Sequence, residues 1–296
     1  LYRVRDPAQA LGATIENADT YTDEDGLTSD NIIHMFEDRE GNVWVATSRG
    51  LDRFRSNPVV PVALPEAYTN NTIAAGEDGA VWVAGMFTSP LVRIDAAHRA
   101  GARTPLLEAS QPVQARSVLR TRDGTTWWGG LGVLYRQRGD RVDVVSGPRE
   151  VANSWIWDLA NASDGHGLWL GVDDLGIWEV DGDAWSPARL PQGLLSRVPS
   201  ASWDDGAGVQ WFGYTENRIR VVDHGRVTSY GPEDGLDIGR VKVIRGNAVQ
   251  RWVGGELGVA LFDGKRFHRV RFAGSQQPGA VGGIVPTHSG DVWLSE

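Results

Sequence analysis

Short, largely apolar runs recur along this chain, separated by turns rich in Gly, Asp, Asn and Ser. Such runs between turn residues read as strands, and no stretch sustains the spacing of an amphipathic helix. Ile32-Ile33-His34-Met35-Phe36 reads as one strand and Asp38-Arg39-Glu40-Gly41-Asn42 as a turn. Val43-Trp44-Val45-Ala46-Thr47 is then a second strand, Gly50-Leu51-Asp52-Arg53-Phe54 a third, and Val59 to Leu64 supplies a fourth.

The pattern recurs. Trp44, Trp82, Trp127, Trp169, Trp211, Trp252 and Trp293 each follow a short Gly/Asp turn and precede small residues, at intervals of 38, 45, 42, 42, 41 and 41. The turn returns as Glu77-Asp78-Gly79, Arg122-Asp123-Gly124, Asp205-Gly206-Ala207-Gly208 and Ser289-Gly290-Asp291, with glycine where a tight hairpin needs positive φ. The third strand returns as Leu131-Gly132-Val133-Leu134-Tyr135, Leu175-Gly176-Ile177-Trp178 and Leu257-Gly258-Val259-Ala260-Leu261-Phe262. A period of about 40 to 45 residues built of strands marks a β-propeller, one four-stranded blade per repeat. Seven anchors predict an all-β, seven-bladed propeller forming a single domain over 1–296.

The chain opens on Leu1-Tyr2-Arg3-Val4, which reads as a third strand, and closes on Val292-Trp293-Leu294-Ser295-Glu296, which reads as a second. The last blade is therefore predicted to close with two strands from each terminus. Such closure covers edges that would otherwise invite aggregation.

With 29 basic and 38 acidic side chains the net charge is −9, which argues against nucleic acid or an anionic membrane surface as partner. No stretch approaches the roughly 18 apolar residues of a membrane span. Cysteine is absent, which excludes disulfides and thiolate metal sites. The sequence has no initiator methionine and no leader, so it is expected to be a fragment of a larger protein.

Glu24-Asp25-Gly26-Leu27-Thr28-Ser29-Asp30-Asn31-Ile32, then Glu37 to Thr47, then Gly50-Leu51-Asp52-Arg53-Phe54 closely resemble the two-component-regulator propeller repeat, and Glu233-Asp234-Gly235-Leu236 echoes the entry. The resemblance is strong in copies one, three and four and weak in copies five to seven. Copy four carries an extra turn residue in Asp164-Gly165-His166-Gly167-Leu168-Trp169, and copy six replaces the turn with Gly246-Asn247-Ala248. The resemblance implies the periplasmic sensor domain of an inner-membrane bacterial receptor whose cytoplasmic part is a histidine kinase or diguanylate cyclase. It also implies an oligosaccharide or other small-molecule ligand, and the remaining receptor domains as partners. The alternative is a scaffold that meets a protein partner or forms a homodimer and binds no small molecule.

The residues present no catalytic constellation. The six histidines fall at different places in different repeats and read as surface or loop positions, and Asp173-Asp174 and Asp204-Asp205 read as solvated turn acids. No Ser-His-Asp set, nucleophile elbow or phosphate loop is present, so no catalytic residue, metal or cofactor is expected. Gly208-Val209-Gln210-Trp211-Phe212 resembles a turn of the seven-bladed streptogramin lyases, but no matching His/Glu pair is identifiable and that family's repeats lack the Gly-Leu-x-x-Phe strand.

In a propeller the first strand of each blade lines the channel. Ten residues before each anchor stand His34, Thr72, Ser117, Ala201, Lys242 and Gly283, with Asp158 at the equivalent place in copy four and Pro199 an alternative in copy five. Asn71, Arg116, Trp155 and Trp157 enter the same face, and Arg49, Asp174, Tyr214, Glu216 and Glu256 lie in loops between second and third strands. The expected ligand-binding residues are His34, Asn71, Arg116, Trp155, Trp157, Asp158, Asp174, Tyr214, Glu216, Lys242 and Glu256. Indoles there would meet the apolar face of a sugar, with Arg and Asp for its hydroxyls, although packing between blades is the favoured reading of Trp155 and Trp157. Trp178, Trp185 and Trp203 read as core.

Overall fold

The computed structural model of the chain describes residues 1–4, 14–15, 18–54, 60–62, 64, 70–76, 79–87, 89–94, 112–162, 167–194, 196–247, 249–273 and 277–296. Among them the helical elements are two short 3₁₀ turns, Asp23–Asp25 and Pro232–Asp234, and everything regular besides is strand. The described strands form eight sheets, of which seven follow one another in the arrangement of a seven-bladed propeller and the eighth is a two-stranded pair. Blade one spans 32–62, blade three 117–146, blade four 156–187, blade five 201–230 and blade six 241–272, each with four antiparallel strands in sequence order.

Blade two departs from this. Its described part is a three-stranded sheet, Thr72–Ala75, Val81–Ala84 and Val92–Ile94, beside a small pair, Ser89–Pro90 with Pro112–Val113. Blade six gains a fifth strand, because Thr14–Ile15 adds in parallel to Phe267–Phe272. Blade seven is shared as the sequence predicts: Gly283–Pro286, Val292–Ser295, Tyr2–Val4 and Ala18–Thr20 form one sheet, with Tyr2 opposite Leu294 and Val4 opposite Val292. By compactness, blades one to four (Thr22–Asn161 and Gly167–Ala188) form one unit, and blades five to seven belong to another (chiefly Leu1–Tyr21 and Arg189–Glu296).

The repeat has a packing logic. All seven anchoring tryptophans are buried. Two residues after each stands a small one: Ala46, Ala84, Gly129, Gly171, Gly213, Gly254 and Ser295. A Cβ on Gly129 would run into Ser117 and into Ile156 of the next blade, and one on Gly213 would run into Val241. Smallness at this position is what lets the first strand of the following blade lie flat against the sheet. Opposite the anchor on the third strand stands arginine in four blades: Arg53, Arg93, Arg136 and Arg3. The guanidinium carbons of Arg53, Arg136 and Arg3 lie 5.2, 5.7 and 5.4 Å from the indole centroids, within cation–π range.

The turns combine glycine with aspartate. Gly41, Gly79, Gly124, Gly206, Gly208 and Gly290 all have φ between 76° and 95°. In blade one the Asp38 carboxylate accepts from the amides of Glu40 and Asn42 and from the Trp44 indole N–H at 2.7 Å, so the turn residue also satisfies the buried anchor.

Both Glu-Asp-Gly-Leu entries fold alike. Asp25 and Asp234 reach back to the amides of Thr22 and Gly231 at 2.9 Å, Gly26 and Gly235 close the turn in the left-handed region, and Leu27 and Leu236 are buried beneath it. The first entry is further tied to blade one: Asp52 Oδ2 accepts from the amide and hydroxyl of Thr28, both at 3.0 Å.

Candidate functional site

Hydroxyls on the first strands serve packing. Thr72 Oγ1 donates to the carbonyl of Ala115, Ser117 Oγ to that of Ile156 at 2.8 Å, and Ser200 Oγ to that of Val241 at 2.6 Å. Each hydroxyl fastens one blade to the next, which explains polar residues at buried strand positions without a ligand.

The ten-residue count also slips once. His34, Thr72, Ser117, Asp158, Ala201 and Gly283 do occupy one register position, each opposite the small residue after its anchor. In blade six that position belongs to Val243, opposite Gly254, because the strands there pair Arg245 with Trp252, a shorter span than Phe36 to Trp44 in blade one. Lys242 instead sits at an irregularity where the strand carries one extra residue. Equivalent irregularities fall at Ile33 and Trp157, between Ile32 and His34 and between Ile156 and Asp158. A bulge breaks the inward–outward alternation and re-aims its side chain. Trp157 is 45% exposed as a result.

At the strand-entry end of blades three and four the structure gathers three of the expected residues. Arg116 is positioned by its amide, which donates to the carbonyl of Gly129 at 2.9 Å just before the Ser117–Arg120 strand. Its guanidinium carbon lies 4.5 Å from the Trp155 ring centroid and 4.2 Å from that of Trp157. Trp155 is held by a bridge to Leu131, and its carbonyl accepts from the amide of Asp173 at 2.9 Å. Asp158 follows Trp157, half-buried, with Oδ1 accepting from the amide of Leu159. Asp174 is exposed in the adjoining turn at φ 58°, a conformation aspartate tolerates. Leu131, Leu175 and Phe87 are exposed in the second-to-third-strand loops of blades three, four and two. The result is a cation within cation–π range of two indoles, with exposed apolar residues in neighbouring loops.

The other expected residues are placed as follows. His34 is half-buried on blade one, and Asn71 is fully buried at the entry of blade two. Tyr214 is buried at the end of a blade-five strand, with the Arg197 guanidinium 5.8 Å from its ring. Arg197 also pairs with Glu216 at 2.5 Å, and the Thr215 hydroxyl, with Arg197 beyond it, holds the Glu216 carboxyl below the usual carboxylate range. Glu256 and Arg240 are tied by a backbone bond, and Lys242 is exposed.

Sequence reasoning missed Arg197, which lies outside the repeat and carries no periodic signal. It also took Leu131 and Leu175 for strand residues, whereas the third strands begin at Val133 and Gly176 and the leucines project from the preceding loop. A cavity of about 300 Å³ opens at the opposite end of blades two and three, lined by Trp82, Arg93, Arg120, Gln137 and Asp140, and none of the expected residues lines it. Among the described residues no His/Asp/Glu cluster is placed to hold a metal, and no helix is long and apolar enough to cross a membrane.

Residues 26–49 match the two component regulator propeller family. No curated protein gives a significant match. Among solved structures, the extracellular domain of the hybrid two component system BT3049 from B. thetaiotaomicron superposes with TM-score 0.70 at 12% identity, covering 94% of this chain and 40% of that one. This chain thus spans well under half of that domain. Virginiamycin B lyase from Staphylococcus aureus, in a catalytically inactive form with quinupristin, gives TM-score 0.64 at 13% identity over 91% of this chain and 97% of that one. The WD40 β-propeller domain of Doa1 gives 0.66 at 14%, over 97% and 93%. At such identities the likeness is one of fold, which propellers share across unrelated activities.

Proposed function

We propose that this chain is the extracytoplasmic ligand-binding propeller of a bacterial receptor, and that it takes an oligosaccharide on the platform of Trp155, Arg116 and Trp157. The observation that carries this reading is Trp157: a tryptophan pushed out of the strand by a bulge, 45% exposed, and braced on one face by Arg116. Leaving a large indole in water is unfavourable unless the surface is used, and a braced indole offers a sugar ring a rigid apolar shelf. The two-component-regulator match at 26–49 and the extracellular-domain likeness support a receptor setting, periplasmic, with the remaining domains passing the signal on. We read the domain as non-catalytic, the lyase likeness being one of fold.

A second reading has its own observation. Phe87, Leu131 and Leu175 are exposed and apolar, as a face that docks a protein or a second copy of the chain would be.

The test is a thermal-shift screen against neutral and acidic oligosaccharides with the wild-type chain and Trp157→Ala. A ligand at a hundred times its Kd stabilises the folded state by about 2.7 kcal/mol, well within reach of the method. A shift abolished by Trp157→Ala supports capture. No shift with any sugar, together with self-association lost on Leu131→Asp, supports the docking face.

A further inference from the structure

Among the described residues Arg116 is a cation without an anion. Arg3, Arg136 and Arg251 also lie over tryptophan rings, and each is ion-paired: with Asp291, with Asp183 at 2.8 Å and with Asp205 at 3.9 Å. Arg116 has no ion pair and no side-chain hydrogen bond among the described residues, and its Nε is buried without a partner. Its guanidinium carbon lies within cation–π range of two indoles at once. The edge of that planar group carries a fork of N–H donors, held beside the rings.

We propose that this edge receives the carboxylate of an acidic sugar, so that the platform is selective for an oligosaccharide carrying a uronic acid unit. The inference rests on the reading of the platform as a sugar site. A carboxylate is the planar two-oxygen acceptor that a guanidinium edge matches with two parallel hydrogen bonds. The adjacent Trp157 carries the ring of the same unit. Asp158, Asp173 and Asp174 stand at the same end of blade four. They repel a run of anionic units and accept hydrogen bonds from hydroxyls, which confines recognition to a single carboxylate within an otherwise neutral oligosaccharide.

The probes are an oligosaccharide carrying one glucuronic acid, the methyl ester of the same molecule, and the neutral oligosaccharide lacking that unit, each titrated calorimetrically into the chain. The acid is expected to bind at least about tenfold more tightly than its ester, with the preference shrinking as salt rises. Arg116→Gln is expected to erase the preference. Arg116→Lys keeps the charge but loses the stacked fork, and is expected to erase most of it. Trp157→Ala is expected to weaken acid and ester alike. Equal binding of acid and ester to the wild type, or a preference that survives in Arg116→Gln, overturns the proposal while leaving a sugar site standing. Absence of binding by all three probes, and by the wider sugar panel, removes the sugar site and this inference together. Should Arg116→Gln fail to fold, the acid-to-ester ratio on the wild type and on Arg116→Lys decides the matter.

Discussion

Asp52 is the residue whose chemistry differs most from its appearance in sequence, where it is one acid of a repeat. It is fully buried, one carboxylate oxygen serves Thr28, and the other is buried without a hydrogen-bond partner. Burial pushes its carboxyl up to about 6 from the ordinary 3.8, against the opposing pull of the Thr28 bonds. The folded state thus holds this proton more tightly than the unfolded chain does. Its contribution to stability is greatest below about pH 4 and is lost as pH rises through 6, a cost at pH 7 of about 2–3 kcal/mol. Asn in its place keeps an acceptor for Thr28 and carries no charge to desolvate. Asp52→Asn is therefore expected to be at least as stable as the wild type at pH 7, with the gap between them closing from pH 6 down to 4. Urea unfolding of both proteins across that range checks this, and parallel curves would refute it. The anchoring tryptophans and the small residues after them are the opposite case, since their roles are legible from spacing alone. Thr72 and Ser117 are not, because the carbonyls they bind stand 43 and 39 residues further along the chain.

At the scale of elements, the two Glu-Asp-Gly-Leu turns share hydrogen bonds and backbone shape but not surroundings. Gly26 has φ 105° with no neighbouring atom within 4 Å of an added Cβ, whereas at Gly235, φ 84°, that Cβ would run into the carbonyl oxygen of Phe267. Gly26→Ala is expected to cost about 1 kcal/mol, the penalty of a left-handed alanine, and Gly235→Ala about 1–3 kcal/mol more, for overpacking against backbone. Chemical denaturation of the two variants side by side tests the difference, and equal costs would contradict the packing seen at Gly235. Sequence could not separate these turns, because what differs is a strand 32 residues downstream. The same holds for the bulges at Ile33, Trp157 and Lys242, which are set by how two strands align and not by either strand alone.

At the scale of the molecule, closure depends on the first residues of the chain. Tyr2 and Val4 are buried, and their strand pairs along Val292–Ser295. Deleting residues 1–21 removes two of the four strands of blade seven and uncovers that edge. The loss is expected to reach about 3–6 kcal/mol from the burial of Tyr2 and Val4 alone, with self-association through the exposed strand. Urea denaturation and size-exclusion chromatography measure both effects. A circular permutant joining Glu296 to Leu1 by a short linker, and opened at another loop, is expected to keep the stability that the deletion loses. A deletion as stable and monomeric as the intact chain would show that the terminal strand does not close the blade.

The blade number, the shared last blade and the glycine turns were legible in the sequence. Each of these follows from local rules of alternation, steric freedom and repeat length. Tertiary structure alone decided which residues on those strands are available for function. It turned Thr72 and Ser117 into ties between blades, pushed Trp157 out through a bulge and left Leu131 and Leu175 projecting from loops. It also brought Arg116 beside two indoles with no ion pair among the described residues. The reason is physical: an exposed side chain, an unpaired charge and a buried hydroxyl are properties of the neighbouring blade as much as of the residue, and that neighbour lies about forty positions away in the chain.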